Sequence, residues 1–397
     1  MKILHINTYD TGGAANACLR IHQSLLQKGV DSKVLVLYKS KNIPEVYEFN
    51  YWEKTRNIVH RYFKRKRYES YRKHMNNLTQ FIHEHPVEIF SEPTSIFDIT
   101  SHPLYKEADI IQLNWTAGFL DEPSFFKRNS KPVIWRMSDL YICSGGYHYE
   151  KGFPFTEYKN LLDRNSRIHQ KSIKNKKINI VAISNWTKDK ALNCIFLKDL
   201  PISVIHNGID SNVFSPYDKL SARESLGISP NKKVVLIGAQ SLSNMRKGTS
   251  LLMKAISTIT DDNILFYSFG VDESFDKRIT PFGYIKDEQS LAKIYSAADI
   301  YVMSSIEEAF GQVFIESLAC GTPVASFPNG GGLDIIKNGF NGFLAEDFTS
   351  SSLANTINKT LNTTFDKEAI RKDILERFNI EDKADQYIKL YESILNQ

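Results

Sequence analysis

Short apolar runs alternate with longer amphipathic segments along the chain, a pattern that predicts α/β domains. Residues 2–6 form the first apolar run, a glycine turn at 10–13 follows it, and apolar positions then recur with a helical period through residues 14–28. Gly29 ends this helix, and residues 33–38 form the next apolar run. A strand, a glycine turn, a helix and a second strand in this order predict the opening of a doubly wound α/β domain.

The same alternation continues along the chain and predicts two domains. The further runs that we interpret as strands lie at residues 110–113, 133–135, 178–183, 201–205, 233–238, 264–269, 300–303, 323–327 and 342–344. We therefore expect an N-terminal Rossmann-like domain over residues 1–200 and a C-terminal Rossmann-like domain over residues 201–375, enclosing a cleft. Residues 376–397 should form a C-terminal helical segment that packs on the domains, because their apolar positions share one helical stripe.

The composition is that of a soluble globular protein. Of the 397 residues, 42% are hydrophobic and 24% are charged, and no apolar run approaches the ~18 residues that a membrane span requires. Asn7, Thr8 and Asp10 interrupt the apolar start of the chain, so we expect no signal peptide and a cytoplasmic location. The cysteines are too far apart in sequence for a zinc knuckle or a CxxC pair and should be buried free thiols: Cys18, Cys143, Cys194 and Cys320.

Positive charge is concentrated in one segment. The net charge is +5, but residues 51–76 hold nine Lys and Arg against two Glu, whereas the rest of the chain has 41 basic and 43 acidic residues. Aromatic residues are interleaved with this basic run. One interpretation is a solvated basic helix; the other is that the segment docks the protein on an anionic membrane surface at the inner face of the membrane. Nucleic-acid binding is not expected, because no RNA- or DNA-binding motif accompanies the segment.

The densest chemical signal lies at residues 304–324, where a strand end, a loop and a helix follow one another. Glu308 and Glu316 are separated by seven residues, and the helix should begin near Gly311. The N-terminus of that helix would offer backbone N–H groups and a positive dipole to an anion such as a diphosphate. Glu316 lies about a turn and a half further on, where a carboxylate can accept hydrogen bonds from two vicinal hydroxyls. On spacing alone, a pair of glutamates on a solvated helix surface remains the competing interpretation.

The residues around the two glutamates resemble a known signature. The stretch 308–316, EAFGQVFIE, followed by LACGTPV at 318–324, resembles the signature of retaining glycosyltransferase family 4. Other motifs of that family are similar and in the same order: TGGA at 11–14, IHNGID at 205–210 and RKG at 246–248. Within the family the chain is most similar to bacterial surface-polysaccharide transferases, through ADIIQLNW at 108–115 and Asp139 followed by SGGYHY at 144–149.

The resemblance implies a fold and an activity. The fold is GT-B, in which two Rossmann-like doubly wound α/β domains face each other across a cleft, the first binding the acceptor and the second the nucleotide sugar. The activity is a retaining, metal-independent transfer of a hexosyl-type group from a nucleotide-diphosphate sugar, which is a co-substrate, so that no cofactor is expected. The acceptor would be a saccharide or a lipid-diphosphate-linked molecule in the synthesis of bacterial surface polysaccharide such as lipopolysaccharide.

The resemblance also implies roles for individual residues, each matched to a position of this sequence. The residues expected to act in catalysis are Glu308, Lys247, Arg246 and Asp139. Those expected to bind the donor are Gly12, Gly13, Phe310, Gly311, Gln312, Val313 and Glu316. Those expected to contact the acceptor are Asn114, Ser138 and His148. The three glycines at 330–332 also fall in the order expected for the family, but turn chemistry is the competing interpretation, and we assign them no site role.

No metal site is expected. The chain has no Asp-x-Asp pair of the kind that chelates the metal of a nucleotide sugar, and His83 and His85, which alternate as on one face of a strand, have no third ligand. The sequence departs from the family pattern in three places: Ser138 and Asn114 stand where many relatives have His, and the pair Ala239 and Gln240 stands where relatives often have Arg. We expect Arg246 to supply the missing charge.

Two other classes of function are compatible with these motifs. A sugar-nucleotide epimerase or hydrolase would use a similar two-domain fold and would consume the donor without an acceptor. A non-catalytic relative would bind the nucleotide sugar and support a partner enzyme. The presence of Glu308, Lys247 and Glu316 favours an active transferase.

Overall fold

The computed structural model describes residues 1–52, 58–238, 245–270 and 276–396, which form two compact units. The first unit comprises Met1–Ile205 together with Ala384–Gln397, and the second comprises His206–Lys383. The chain therefore passes between units a few residues beyond positions 200 and 375, where the sequence pattern places the domain boundaries.

The first unit is built on a seven-stranded parallel sheet. Its strands are β1 (Lys2–Tyr9), β2 (Asp31–Tyr38), β3 (Val46–Glu48), β4 (Ile110–Leu113), β5 (Val133–Met137), β6 (Ile178–Ala182) and β7 (Ile202–Val204). Their order across the sheet is β3-β2-β1-β4-β5-β6-β7. All four residues of β4 are buried, as expected for a central strand of a parallel sheet that is covered on both faces.

Helices of the first unit connect these strands. They are α1 (Gly13–Gln27), α2 (Ile58–Glu84), α3 (Pro103–Glu107), α4 (Glu122–Arg128), α5 (Tyr141–Ser144), α6 (Phe155–Ile173) and α7 (Asn185–Asn193). The basic segment thus continues into the long helix α2. His83 lies near the end of this helix, so the interpretation of His83 and His85 as alternating positions of a strand is wrong.

The second unit repeats the topology with six parallel strands. These are β8 (Lys233–Gly238), β9 (Ile264–Phe269), β10 (Ile279–Pro281), β11 (Ile300–Met303), β12 (Val324–Ser326) and β13 (Gly342–Leu344), in the order β10-β9-β8-β11-β12-β13. Its helices are α8 (Lys219–Ser225), α9 (Thr249–Thr258), α10 (Glu288–Ala297), α11 (Gln312–Ala319), α12 (Gly332–Ile335), α13 (Ser350–Leu361) and α14 (Lys367–Phe378). The predicted α/β class and the predicted strands are confirmed.

The last helix, α15 (Ile380–Leu395), returns to the first unit. Tyr387 and Tyr391 on this helix are fully buried, and the hydroxyl of Tyr391 donates a hydrogen bond to Oε1 of Gln112 on β4 at 2.5 Å. The apolar stripe predicted from the sequence corresponds to the side of the helix that carries these two buried rings. No helix within the described ranges has both the length and the apolar character needed to cross a membrane.

The four cysteines are free thiols. Three of them are buried as expected, whereas Cys143 is partly exposed. Cys143 also lies close to Cys194, whose Sγ is 3.8 Å from the carbonyl oxygen of Cys143.

Candidate functional site

The predicted site residues form two sets, one in each unit. The set in the second unit comprises Arg246, Lys247, Glu308, Phe310, Gly311, Gln312, Val313 and Glu316. The set in the first unit comprises Gly12, Gly13, Asn114, Ser138, Asp139 and His148. Ala239 and Gln240 lie outside the described residues.

The second-unit set follows strands beside the point where the strand order of its sheet reverses, and so do Gly12, Gly13 and Asn114 of the first-unit set. Ser138, Asp139 and His148 follow the next strand, β5. In the second unit the chain runs from β8 outward to β9 and β10, and then restarts at β11 on the other side of β8. In the first unit β1 and β4 are neighbours in the same way. Open α/β sheets bind ligands at the carboxyl ends of the strands at this switch point. The loops that follow β8 and β11, and those that follow β1 and β4, are therefore the expected ligand-binding loops.

In the second unit, two cations meet one carboxylate. Nζ of Lys247 lies 3.2 Å from Oε2 of Glu308, and Nη1 of Arg246 lies 3.4 Å from the same oxygen. Arg246 is only 4% exposed and also donates to the carbonyl oxygen of Glu307 at 2.8 Å. Lys247 is more exposed than Arg246. The structure thus brings together the three residues that the motifs at 246–248 and 308–316 predict to act on one diphosphate sugar.

Backbone contacts hold the two loops in this arrangement. The amide of Ile306 donates to the carbonyl oxygen of Arg246 at 2.8 Å, and Oγ of Ser304 donates to that of Lys247 at 2.8 Å. At Gly248, where φ is +64°, a Cβ atom would lie 2.0 Å from the carbonyl oxygen of Ser304. Glycine is required at 248 both for the backbone conformation and for the close approach of the loops.

The glycine run at 330–332 supports the loop that carries Glu308. The sequence alone did not indicate this supporting role. The amide of Gly331 donates to the carbonyl oxygen of Glu308 at 2.9 Å. A Cβ atom on Gly331 would lie 2.2 Å from Cα of Phe310. Because φ of Gly331 is −70°, glycine is needed here for space and not for an unusual backbone conformation. The feature of the sequence that could have indicated this contact is the run of three consecutive glycines after a strand.

Helix α11 begins directly after this loop. Gly311 is its N-cap, with φ of +84°, and the helix begins at Gln312. This agrees with the predicted helix start near Gly311. The amide of Phe314 in the first turn donates to the carbonyl oxygen of Gly311 at 3.0 Å. The helix dipole would favour an anion at this end.

Glu316 lies in the second turn of α11 and is nearly buried. The hydroxyl of Tyr295 on α10 donates to Oε2 of Glu316 at 3.4 Å. Burial, together with the nearby charge of Glu316, raises the pKa of Tyr295 well above its ordinary value. Tyr295 therefore remains a proton donor and orients the carboxylate, a role that sequence reasoning did not identify because the two residues are on different helices.

In the first unit, the glycine loop caps α1. Gly12, with φ of +93°, is the N-cap, and a Cβ atom at Gly12 or Gly13 would meet no other atom within 4 Å. Asp10 anchors the loop by accepting hydrogen bonds from the amides of Ser40 and Lys41 at 2.7 and 2.6 Å. The Ser40 hydroxyl also donates to Oδ1 of Asp10 at 2.7 Å. Burial opposes ionisation of Asp10, but the hydrogen bonds from the Ser40 hydroxyl and from the two amides outweigh it and lower its pKa. The sequence analysis did not assign a structural role to Asp10.

Asp139 is the predicted catalytic residue of the first unit. Its carboxylate accepts hydrogen bonds from Nε1 of Trp115 and from the amide of Tyr141, both at 2.9 Å. Nδ1 of His148 lies 2.6 Å from Oδ2 of Asp139. The His148 ring stacks on Tyr141, with ring centroids 5.3 Å apart. Asp139 and His148 are therefore brought together, with the carboxylate positioned to orient the imidazole.

Ser138 and Asn114 have different partners. Oγ of Ser138 accepts a hydrogen bond from Nη1 of Arg136 at 2.9 Å. Oδ1 of Asn114 accepts one from Nε2 of Gln112 at 3.2 Å. Asn114 follows β4 and Ser138 follows β5, so both lie at the same edge of the sheet as Asp139. Their hydrogen-bond partners, however, are Gln112 and Arg136 on those strands. Across the described ranges, no group of three or more His, Cys, Asp or Glu side chains is arranged to hold a metal ion.

Comparisons with known proteins relate the second unit to a family. Residues 218–376 match the family model described as glycosyl transferases group 1. An uncharacterised glycosyltransferase of Methanocaldococcus jannaschii is 25% identical over 237 residues, which are 53% of this chain and 59% of that protein. The chain thus spans less than two thirds of the length of this curated relative.

Solved structures resemble the whole chain. Sucrose-phosphate synthase from Thermosynechococcus elongatus has a TM-score of 0.71 and 17% identity, with all of both chains covered. The HepE protein of Anabaena in complex with UDP and glucose has a TM-score of 0.67 and 20% identity, with 99% of this chain and 100% of that one covered. These likenesses, with the two parallel sheets, show that the protein has the two-domain α/β fold called GT-B.

Proposed function

We propose that the protein is a glycosyltransferase that moves a sugar from a nucleotide-diphosphate donor to a saccharide or lipid-linked acceptor. The observation that carries this proposal is the meeting of Arg246, Lys247 and Glu308 at the switch point of the second unit, next to the start of α11. This unit contains the match to glycosyl transferases group 1. The structurally similar HepE protein is described as a complex with UDP and glucose, which supports a nucleotide-sugar donor.

Each residue of the second unit has a physical role in this proposal. Lys247 and Arg246 neutralise the diphosphate, so they stabilise the negative charge that develops as the bond from sugar to phosphate breaks. Glu308 accepts hydrogen bonds from hydroxyls of the donor sugar, and Glu316 accepts them from the nucleotide ribose. Backbone groups of residues 310–313 contact the sugar and phosphate.

We further propose that the transfer retains the anomeric configuration and needs no metal ion. The two cations beside Glu308 can supply the positive charge that a bound diphosphate requires. Retention, assignment to family 4, transfer of a hexosyl group and a place in bacterial surface-polysaccharide synthesis rest on the resemblance of the sequence motifs, including 108–115 and 144–149.

We also propose that the first unit docks on an anionic membrane at the cytoplasmic face. Tyr62 and Phe63 on α2 are 54% and 64% exposed. Arg61, Lys66 and Arg67 are exposed on the same part of the helix. Basic and aromatic side chains that are exposed together favour binding to the interface of an anionic bilayer.

Two other basic residues of α2 interact with side chains of the protein itself. Nζ of Lys64 lies over the ring of Tyr51, 4.6 Å from its centroid, and burial lowers the pKa of Lys64. Arg65 pairs with Glu69 at 2.9 Å. We therefore define the docking patch as Arg61, Tyr62, Phe63, Lys66 and Arg67. Nζ of Lys66 also lies over a ring, 4.8 Å from its centroid, but that ring is the exposed Tyr62 of the patch itself.

A thermal-shift screen against nucleoside diphosphates and their sugars tests the donor site. One base should raise the melting temperature of the protein, because a ligand that binds the native state stabilises it. Lys247→Met and Glu316→Gln should each weaken this binding roughly tenfold or more, since each removes a charge-assisted hydrogen bond. Lys254→Met and Glu376→Gln, which change exposed residues of the same unit, should leave it unchanged.

The outcomes separate the competing functions. No melting-temperature rise with any nucleotide sugar, from a protein that is folded, would contradict the proposal. Consumption of the donor at the same rate with and without a saccharide acceptor would indicate an epimerase or hydrolase. Binding without any turnover would indicate a non-catalytic protein that supports a partner.

A further inference from the structure

Two cysteine thiols of the first unit lie in contact. Sγ of Cys194 lies 3.8 Å from the carbonyl oxygen of Cys143, and the two thiol groups share a hydrogen bond. Cys143 belongs to α5, whereas Cys194 directly follows α7, 51 residues later. A disulfide bond joins sulfur atoms about 2.05 Å apart. The two sulfur atoms therefore need to close only from hydrogen-bonding distance to become bonded.

Local backbone turns hold both cysteines. The amide and Sγ of Cys143 both donate to the carbonyl oxygen of Leu140, at 3.0 and 3.2 Å. Cys194 caps the end of α7, where its amide donates to the carbonyl oxygen of Ala191 at 3.1 Å. The carbonyl oxygen of Cys194 accepts a hydrogen bond from the amide of Leu197 at 3.0 Å. The contact between the thiols is thus built into the fold and needs no ligand to form it.

The surroundings of Cys194 favour its thiolate form. A hydrogen bond from the Cys143 thiol lowers the pKa of Cys194; burial opposes this, but hydrogen bonds from the amides of Phe196 and Leu197 and the nearby His169 lower it further. The same hydrogen bond, together with burial, raises the pKa of Cys143. Cys194 is therefore the member of the pair that loses its proton more easily. The thiolate is the form of cysteine that reacts with oxidants.

The other two cysteines lack these features. Burial raises the pKa of Cys18 to about 12, and burial with the nearby charge of Glu316 raises the pKa of Cys320 to about 12. Both thiols therefore keep their protons at neutral pH, and both side chains are buried. Cys143, by contrast, is partly exposed, so a small oxidant can reach the pair from its side.

The pair lies beside the predicted catalytic residue of the first unit. Helix α5 begins two residues after Asp139, and the amide of Tyr141, its first residue, donates to Oδ1 of Asp139 at 2.9 Å. A bond between Cys143 and Cys194 would tie this short helix to the end of α7. Oxidation of the pair would therefore constrain the helix whose first amide holds the Asp139 carboxylate.

We propose that Cys143 and Cys194 form a redox site at which a hydroperoxide converts the two thiols into a disulfide. The thiolate of Cys194 attacks one oxygen of the hydroperoxide and the O–O bond breaks. Cys194 becomes a sulfenic acid, and the other oxygen takes up a proton from solvent and leaves as water or an alcohol. The sulfur of Cys143 then attacks that of Cys194, so that the S–S bond forms, the S–O bond breaks, and the hydroxyl leaves with the Cys143 proton as water. The two sulfur atoms are oxidised and the hydroperoxide is reduced.

Peptide mapping of the full-length protein tests the disulfide. The protein is reduced with dithiothreitol, freed of the reductant and treated with a small excess of hydrogen peroxide, and the remaining thiols are then alkylated. Mass spectrometry should find the peptide that contains Cys143 linked to the one that contains Cys194, with Cys18 and Cys320 alkylated. Dithiothreitol should reverse the link, because a disulfide exchanges with free thiols.

Variants test the two steps separately. Cys194→Ser should slow the loss of thiols in hydrogen peroxide roughly tenfold or more, because the remaining cysteines stay protonated. Cys143→Ser should still react at Cys194 but stop at the sulfenic acid, which dimedone labels. Cys18→Ala, which changes a cysteine in an apolar cluster outside the pair, should form the disulfide at the wild-type rate.

The outcomes are independent of the proposed transferase function, because no readout involves a nucleotide. Folded, peroxide-treated protein in which Cys143 and Cys194 both remain alkylated and unlinked would overturn the inference. A Cys194→Ser variant that loses thiols at the wild-type rate would overturn it as well. A protein that forms the disulfide but binds no nucleotide sugar would contradict the transferase and leave the redox site standing.

Discussion

At the scale of the residue, Gly331 has no room for a side chain beside the candidate donor loop. The Cβ of an alanine would lie 2.2 Å from Cα and 2.3 Å from the carbonyl oxygen of Phe310, which are backbone atoms that cannot rotate away. Gly331→Ala should therefore lower the free energy of unfolding by about 3 kcal/mol, the upper part of the usual range for overpacking. It should also weaken nucleotide binding, because the loop carrying Glu308 must move. Urea denaturation and the thermal-shift screen measure the two effects.

Gly13→Ala is the matched control for stability. A Cβ at Gly13 meets nothing within 4 Å, and the backbone there does not need glycine. The free energy of unfolding should stay within about 0.5 kcal/mol of the wild-type value. Equal midpoints for Gly331→Ala and Gly13→Ala would refute the steric argument.

A site residue is easier to predict from the sequence when the residues that it contacts lie close to it along the chain. Glu308 and Glu316 belong to one loop and the helix that follows it, so the sequence motif already indicates that they lie on either side of the start of α11. The structural role of Asp10 gave no such signal, because its partners Ser40 and Lys41 lie 30 and 31 residues away and only the folded sheet brings them together. Tyr295 was missed for the same reason, since it reaches Glu316 from another helix.

At the scale of the element, α15 is held to the first unit by a buried polar contact in addition to its apolar face. Tyr391 and Gln112 are both fully buried, and the tyrosine hydroxyl donates to the Gln112 side chain. Tyr391→Phe should lower the free energy of unfolding by about 1–3 kcal/mol, because it leaves Oε1 of Gln112 buried without this donor. Urea denaturation measures the loss.

Ser393→Ala tests whether that loss is specific to the buried contact. Ser393 is exposed on the same helix and donates only to the nearby carbonyl oxygen of Leu390. Its replacement should change the free energy of unfolding by less than about 0.5 kcal/mol. A loss in Ser393→Ala as large as that in Tyr391→Phe would mean that the buried hydrogen bond is not what holds the helix.

The strands differ in how well the sequence predicts them, and their positions in the sheets explain why. Central strands such as β8 and β11 consist mostly of apolar residues, because helices cover both of their faces. The sequence pattern missed β3 and β10, which are three-residue edge strands with one buried residue each. An edge strand needs little apolar surface, so its sequence is similar to that of a loop.

At the scale of the whole molecule, the same strand topology occurs twice without a recognisable repeat in the sequence. Each sheet places the ends of two neighbouring strands, β1 with β4 and β8 with β11, beside its switch point. The predicted residues Asn114 and Glu308 follow β4 and β11 and so occupy equivalent places in their units. The fold thus positions both candidate sites, whereas loop residues determine their chemistry.

The distribution of charge over the molecule leads to the last prediction. Because the docking patch contains three exposed basic residues, the protein should float with vesicles containing acidic lipid and remain unbound with neutral vesicles. The triple change Arg61→Gln, Lys66→Gln and Arg67→Gln should weaken this binding about 100-fold, since each basic residue near the surface contributes about 1 kcal/mol.

A second triple variant separates a docking patch from a general effect of charge. It removes three positive charges from another exposed region of the first unit: Lys171→Gln, Lys174→Gln and Lys177→Gln. If binding follows the local patch, this variant floats like the wild type although both variants have the same net charge. If the two variants lose binding equally, only the overall charge attracts the protein to the membrane. If the wild type does not float with acidic vesicles, α2 is a solvated basic helix and the proposed docking is wrong.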